Sequence, residues 1–441
     1  MIVTILALAW PTMLEQLLQT AVQYIDTAMV GSLGTHATAA VGATTTVNWL
    51  VGSSISALGV GFLSFIAQAH GAGDRIGAKK AVMQAVLVTL VCGGFFTALT
   101  LGLSGIIPVW MRVDDAIRDL AGRYFFILYL PMLPRTATII FGTVLRAAGD
   151  TKTPMKIGVG VNLINVTLNF LLIYPTRQIW GMTIPGAGMG VIGAAVASAA
   201  AFTVGGIAIT VVLWRHPGIS PRGQRFRIDR SILEPCLKVA MPNMLQRFGT
   251  SLGYVVFAVL INDLGEVATA AHTIANTVES AFYIPGYGMQ SAAATLAGNA
   301  WGARDRKRLR NLAKMFIPIE VILMIFSGGA LFAAAPALVG LFSESPEVIG
   351  LGTTVLRMVA LSEPAYGFSI IIEGMMLGVG NTRRPFVYNI LGMWGVRIVG
   401  TFLCTVCFDG GLVAAWGCMI AHNMLLFVLV LRTHRRGDLT A

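Results

Sequence analysis

The sequence predicts an all-α integral membrane protein: twelve transmembrane helices in two parallel six-helix repeats around a central cleft. Three observations predict it. Hydrophobic residues make up 56% of the 441 and charged residues only 12%, with a mean hydropathy of +0.75; a soluble domain carries about a quarter charged residues. The apolar residues form twelve runs long enough to cross a bilayer, which takes ~20 residues in a helix. The second half of the chain also repeats the first at a constant offset.

In order, the runs are 2–33, 38–70, 79–108, 117–147, 154–175, 190–214, 233–263, 267–300, 314–342, 347–378, 385–408 and 410–431. Several are longer than a perpendicular helix needs, which implies tilt or projection beyond the bilayer. The first run has no basic flank and no small-residue cleavage site, so it reads as a retained span rather than a signal peptide. The 2–3 connection carries Arg75, Lys79 and Lys80, and the 4–5 connection Arg146, Lys152 and Lys156. Basic residues are densest between spans 6 and 7 (Arg215 to Lys238) and between spans 8 and 9 (Arg304 to Lys314). With Arg383, Arg384 and the tail arginines, 23 of the 31 basic residues fall on one side, against only Arg112, Arg118 and Arg177 in the opposite connections. Basic connections stay on the cytoplasmic side, so both termini are expected there, with the protein a multi-pass component of the cell membrane. This charge distribution accounts for the net +11 without nucleic acid.

The repeat offset is 231 residues: Pro11 to Pro242, Leu33-Gly34 to Leu264-Gly265, Gly71 to Gly302, Gly149 to Gly380. It slips to 220 at Ala194-Ala195 and Ala414-Ala415, so the first half has eleven extra residues around 175–190. Six spans per unit give both units the same topology, related by an axis along the membrane normal, an arrangement used by transporters that bind substrate between two halves. The predicted organisation is an N-half at 1–215, a cytoplasmic linker at 216–231 and a C-half at 232–441.

Ionisable groups inside spans are costly, roughly 2.5–3.5 kcal/mol each at the bilayer centre on the gentlest scale, and mark function or pairing. Asp26 in span 1 is one. Glu15 lies on the same helical face ~16 Å away, and Gln19 and Gln23 complete a polar stripe that lipid cannot face. On span 5, Asn165 and Asn169 are neighbours one turn apart. One carboxylate, two amides and a hydroxyl make an oxygen cage for a hard cation; the alternative is a structural hydrogen bond between Asp26 and span 5. Arg123, Arg135, Arg247, Arg357 and Arg397 also fall within spans, with Glu15, Glu279, Glu320, Glu363 and Glu373 at comparable depth. Arg135 with Glu15, and Arg247 with Glu279 or Glu363, are candidate ion pairs. Pro131, Pro134, Pro285 and Pro364 are candidate kinks. Cys404 and Cys407 have CxxC spacing but no second pair, so packing is the expected role.

Several phrases together resemble one family. Tyr24-Ile25-Asp26-Thr27-Ala28-Met29-Val30-Gly31, Leu145-Arg146-Ala147-Ala148-Gly149-Asp150-Thr151-Lys152, Asn165-Val166-Thr167-Leu168-Asn169, Gly193-Ala194-Ala195-Val196-Ala197-Ser198 and Ala270-Ala271-His272-Thr273-Ile274-Ala275 are similar to those of the multidrug and toxic compound extrusion transporters. The resemblance implies a monomeric secondary antiporter, without a cofactor, conferring antibiotic resistance by exporting organic cations in exchange for H⁺ or Na⁺. It implies a cation-coupling site at Asp26, Asn165, Asn169 and Ser198, with Na⁺, if used, at the first three. Some relatives have an aspartate at Asn169 and a threonine at Ser198. Another branch places acids in spans 7 and 10 where this chain has Thr250 and Tyr366, which argues against a C-half cation site of that kind. Gln23, Glu279, Glu363, Tyr283 and Tyr366 are the candidates for holding a cationic substrate, the tyrosines through cation–π contact. The competing reading is a flippase for lipid-linked saccharides, kept alive by the arginines within spans. The sequence has no Walker A motif, HExxH motif or other catalytic constellation that would make it an enzyme. Its one GxGxxG, at Gly188, Gly190 and Gly193, opens a span instead of following a strand.

Overall fold

The structure is a computed structural model describing residues 2–110, 113–179, 182–408 and 410–439. Arg112 lies outside the described residues. The elements are α1 (Ile2–Gly31), α2 (Thr35–Gly71), α3 (Arg75–Leu103), α4 (Ile107–Trp110), α5 (Asp115–Tyr129), α6 (Met132–Ala147), α7 (Lys152–Leu172), β1 (Pro175–Ile179), β2 (Met182–Ala187), α8 (Val191–Arg215), α9 (Arg230–Asn262), α10 (Glu266–Gly302), α11 (Arg306–Gly340), α12 (Pro346–Ala360), α13 (Glu363–Gly378), α14 (Arg383–Ile390), α15 (Val399–Phe402) and α16 (Leu412–Arg435). Among the described residues twelve helical stretches reach the length of a span. Among the described residues nine helical stretches are long and apolar enough to cross a membrane, and two bent pairs, α5 with α6 and α12 with α13, make two more. The twelfth, α10, is long enough but carries Glu266, His272, Glu279 and several amides and hydroxyls, which lower its hydropathy.

Helix boundaries copy the sequence offset. Thr35–Gly71 recurs as Glu266–Gly302, Asp115–Tyr129 as Pro346–Ala360, and Met132–Ala147 as Glu363–Gly378. The bends recur too, 49° before Met132 and 52° before Glu363. Pro131 sits at the first break and Pro364 opens the helix after the second, where a missing N–H and a fixed φ end one helix and start the next. Pro285, by contrast, lies inside the uninterrupted α10. Span 11 is irregular in a way the sequence did not announce: π-helical turns at Leu391–Ile398 and Leu403–Cys407 flank α15. The Cys404/Cys407 pair falls on the second of these. Both thiols are free, and the sulfur of Cys404 lies 3.8 Å from that of Cys418. The eleven extra residues form the antiparallel hairpin β1–β2, with a register irregularity between Pro175 and Arg177.

The turn before the third span of each half shows how strictly the repeat is kept. Asp74 accepts from the N–H of Gly77 at 2.8 Å, and Asp305 from that of Arg308 at 2.8 Å, each capping the next helix. The residue before each aspartate adopts positive φ: Gly73 at 73° and, in the copy, Arg304 at 55°. A side chain there is strained by roughly 1–2 kcal/mol, partly offset by the greater unfolded-state entropy of glycine. Arg304→Gly is therefore expected to stabilise the protein by up to about 1 kcal/mol. Thermal melting in detergent checks this, and an unchanged or lower midpoint would refute it.

Two compact units make up the chain. One comprises residues 17–62 and 74–236; the other comprises residues 1–16, 63–73 and 237–441. The division runs inside α1 and α2, so each contributes one segment to each unit. In the first unit α6 packs on α3 and α8, and α7 on α8, with Phe125 stacked on the fully buried Tyr129 at 4.3 Å. In the second, α10, α11 and α13 enclose one core around Phe316, Ile371 and Met375, and a further core gathers around Phe257, Leu331, Val355 and Trp416. His272, at this second core, accepts from the Trp416 indole at 3.2 Å and is a packing residue.

Candidate functional site

The first unit brings three spans together around Asp26. Small residues allow it. A Cβ on Gly193 would lie 2.6 Å from the carbonyl oxygen of Leu172, and one on Gly205 2.5 Å from a methyl of Val161. Glycine at these positions lets α8 lie against α7, and Ser198 between them meets Asn165 at 3.0 Å. Asn169, one turn further along α7, donates to Asp26 Oδ1 at 2.6 Å. Asn165 and Asn169 are 6% and 1% exposed, while Asp26 is half-buried. The four residues named from the sequence thus form one connected cluster.

The amide of Asn165 bridges Asp26 and Ser198. One of its terminal atoms lies 3.0 Å from both carboxylate oxygens of Asp26, and the other lies 3.0 Å from Ser198 Oγ. With nitrogen facing Asp26, the amide donates to the carboxylate and its oxygen accepts from Ser198. The side-chain amide oxygen of Asn169 is buried without a hydrogen-bond partner, an acceptor available to a bound ion. Among the described residues no three His, Cys, Asp or Glu side chains converge to hold a metal. A single carboxylate with neutral oxygens matches a proton or a monovalent cation in charge.

A tether the sequence reading missed fixes the register of α1 against α7. Tyr174, just past α7, donates to the carbonyl of Met29 at 3.2 Å and shares a 2.7 Å hydrogen bond with the Ser32 hydroxyl. Its ring also receives the Arg177 guanidinium at 4.1 Å. The available signal was an aromatic hydroxyl at the end of span 5, five residues beyond Asn169.

A second polar centre in this unit surrounds Arg135. Its guanidinium donates to Asn48 Oδ1 at 2.6 Å, which also accepts from Tyr129 at 3.3 Å, and it lies 4.8 Å from the Phe202 ring. The charges of Arg135 and Asp26 both act on the buried Tyr124. Within this unit Arg135 is thus held by an amide and aromatic faces, and its candidate partner Glu15 belongs to the other unit. Arg123 is corrected as well: it pairs with Asp119 at 2.9 Å on exposed surface near the start of α5.

In the second unit the candidate substrate residues also cluster, apart from Gln23, which is exposed on α1 in the first. Tyr283 meets Tyr366 edge-on at 6.0 Å and Tyr287 at 5.8 Å, while the Tyr287 and Tyr366 hydroxyls are 3.0 Å apart. Glu279 and Glu363 are buried and act on Tyr283 electrostatically. Glu320 is fully buried with neither oxygen hydrogen-bonded, in a recess that a Cβ on Gly286 or Gly367 would fill. The arginines take other partners than expected: Arg247 donates to Asn243 at 3.3 Å, and Arg397 lies 4.2 Å from the Phe257 ring while its charge reaches Glu279. Glu373 accepts from Asn389 at 2.7 Å. Thr250 is bonded to its own helix, at 2.8 Å from the carbonyl of Gln246.

The MatE family model matches this chain twice, at residues 11–171 and 242–403. A probable multidrug resistance protein NorM of Thermotoga maritima is 26% identical over 99% of this chain and 94% of its own length. The multidrug resistance protein PmpM of Pseudomonas aeruginosa is 25% identical over 89% and 82%. An outward-facing multidrug resistance MATE family transporter of the MOP superfamily superposes with a TM-score of 0.90 at 23% identity, over 99% of this chain and 95% of that one. A MOP superfamily transporter from Pyrococcus furiosus, described by the reverse polarity of its binding pocket, superposes with a TM-score of 0.89 at 24% identity, over 99% and 95%.

Proposed function

Because the chain belongs to the MatE family of transporters, we propose that it is a multidrug exporter that moves organic cations out of the cell in exchange for H⁺ or Na⁺. The observation that carries the coupling role is the Asp26–Asn169–Asn165–Ser198 cluster, one acid held among neutral amide and hydroxyl groups on apolar helices. An ion entering from outside neutralises Asp26, and the unpartnered side-chain oxygen of Asn169 offers it a further contact. Neutralisation removes the cost of a bare carboxylate in a low dielectric. It thereby changes which arrangement of α1 against α7 is favoured, the two-state bias that alternating access requires.

On this reading the halves 1–215 and 232–441 rock about the 216–231 linker, with both termini cytoplasmic. A cationic substrate is held by Glu279 and Glu363 with the rings of Tyr283 and Tyr366. The names and folds of the relatives support drug export as the class. The half-buried Arg135 and the buried Arg397 favour a second reading, a flippase whose substrate carries a negative headgroup. Purified protein in liposomes decides between them. Export of a fluorescent organic cation driven by a pH or a sodium gradient, imposed separately, supports the first reading and identifies the ion. Movement of a lipid-linked saccharide, with no cation export under either gradient, establishes the second.

A further inference from the structure

Between α8 and α9 the chain reads Arg225-Phe226-Arg227-Ile228-Asp229-Arg230. Phe226 is 65% and Ile228 59% exposed, and the four charged residues around them face outward or lie half-buried. This segment is held in place. Gln84 of α3, only 2% exposed, donates to the carbonyl of Arg227 at 2.9 Å and accepts from the N–H of Asp229 at 3.0 Å. The clamp grips the backbone on both sides of Ile228. Arg227 donates to the carbonyl of Arg225 at 2.9 Å, tightening the turn that carries Phe226. Asp229 then caps the next helix through Ser231. The Ser231 hydroxyl bond, with the backbone N–H and Lys80 adding to it, holds the Asp229 carboxyl below its usual range, so it stays charged beside Lys80.

The clamp also sets the depth. α3 begins with Arg75, Lys79 and Lys80 and then runs without Asp, Glu, Lys or Arg to its end at Leu103. The last charged turn marks where the helix passes from water into hydrocarbon. Gln84 lies one turn beyond Lys80, so the clamped segment sits at the headgroup boundary. An exposed phenylalanine and isoleucine held there between arginines match the interface itself: apolar groups for the acyl border, guanidinium forks for phosphate. Topogenic charge needs basic residues on one side only; it requires neither the clamp nor the interleaved apolar pair.

We propose that Arg225–Arg230, with Lys80, is an interfacial docking strap for anionic phospholipids. Arg225, Arg227 and Arg230 bind headgroup phosphates, and Phe226 and Ile228 enter the acyl boundary. The strap anchors the segment joining the two sequence repeats to the bilayer, so the charge of the lipid acts directly on that joint.

The test uses the full chain in nanodiscs of phosphatidylcholine alone or mixed with phosphatidylglycerol. Hydroxyl-radical footprinting read by peptide mass spectrometry measures oxidation of the Phe226 ring. Oxidation is expected to fall several-fold when phosphatidylglycerol is present, and the protection to disappear at high salt, because exposed charge interactions are screened. An Arg225→Gln/Arg227→Gln variant, confirmed as folded by thermal melting, is expected to show the high oxidation in both bilayers. Equal labelling of wild-type Phe226 in the two bilayers, whether strong or weak, overturns the proposal. Phosphatidylglycerol-dependent protection that survives in the variant overturns it too.

Discussion

Asp26→Asn protein reconstituted in liposomes is expected to lose gradient-driven export down to the background leak, while its melting temperature holds or rises. The asparagine is nearly the same size and still reaches the Asn169 amide at the position now 2.6 Å away. It carries no charge and binds neither a proton nor a sodium ion in exchange for substrate. Removing a charge from a span relieves a cost of roughly 2.5–3.5 kcal/mol, so misfolding does not account for a loss of transport. Equilibrium binding of substrate is expected to survive in this variant, because the Asp26 cluster and the tyrosine-lined candidate substrate cluster lie in different compact units. If export by Asp26→Asn is undiminished, the coupling acid lies elsewhere, and the buried Glu279, Glu320 and Glu363 become the sites to examine.

The second large effect lies where α2 crosses α10. A Cβ on Gly71 would lie 2.0 Å from the carbonyl oxygen of Asn299, and a Cβ on Gly302 1.9 Å from that of Gln68. These four residues are two copies of one contact, since the repeat offset carries Gln68 to Asn299 and Gly71 to Gly302. Next to the crossing, the Gln68 amide and the Ser64 hydroxyl donate to the carbonyl of Gly378 at 3.0 and 3.1 Å. Backbone carbonyls cannot swing aside as a side chain can, so Gly302→Ala forces the helices apart. Overpacking of this kind costs about 1–3 kcal/mol and occasionally more. In an exposed helix the same change gains roughly 0.5–1 kcal/mol, so the sign of the effect is diagnostic. We expect Gly302→Ala to lower the melting temperature by several degrees. Gly329→Ala in α11, where a Cβ meets nothing within 4 Å, should leave it unchanged or raise it. A Gly302→Ala variant as stable as the wild type would show that the crossing is loose.

Much of this was legible in the chain. Span count, the two repeats and the sidedness of charge follow from one-dimensional quantities, because hydrocarbon imposes a length on every helix and a penalty on every charge. The cluster around Asp26 was legible for the same reason: an aspartate in an apolar run, and two asparagines one turn apart, have few inexpensive explanations. The eleven extra residues were visible as a slip in the repeat, though not as a hairpin. Partner choice was not legible. Arg135 matched Glu15 in charge and depth, yet Asn48, Tyr129 and Phe202 hold it.

The sequence by itself determined the class, the spans, the internal symmetry and the identity of the polar groups that hydrocarbon cannot tolerate alone. Only the tertiary structure decided which of those groups meet: Asn165 with Ser198 through the glycine-lined approach of α7 and α8, Tyr174 with Met29 and Ser32, and Gln84 with the strap at Arg227 and Asp229. The physical reason is one of range. Transfer free energy is a property of each residue and is summed along the chain. A hydrogen bond requires two atoms within about 3 Å, and residues 143 positions apart, like Asp26 and Asn169, reach that distance only through the packing of everything between them.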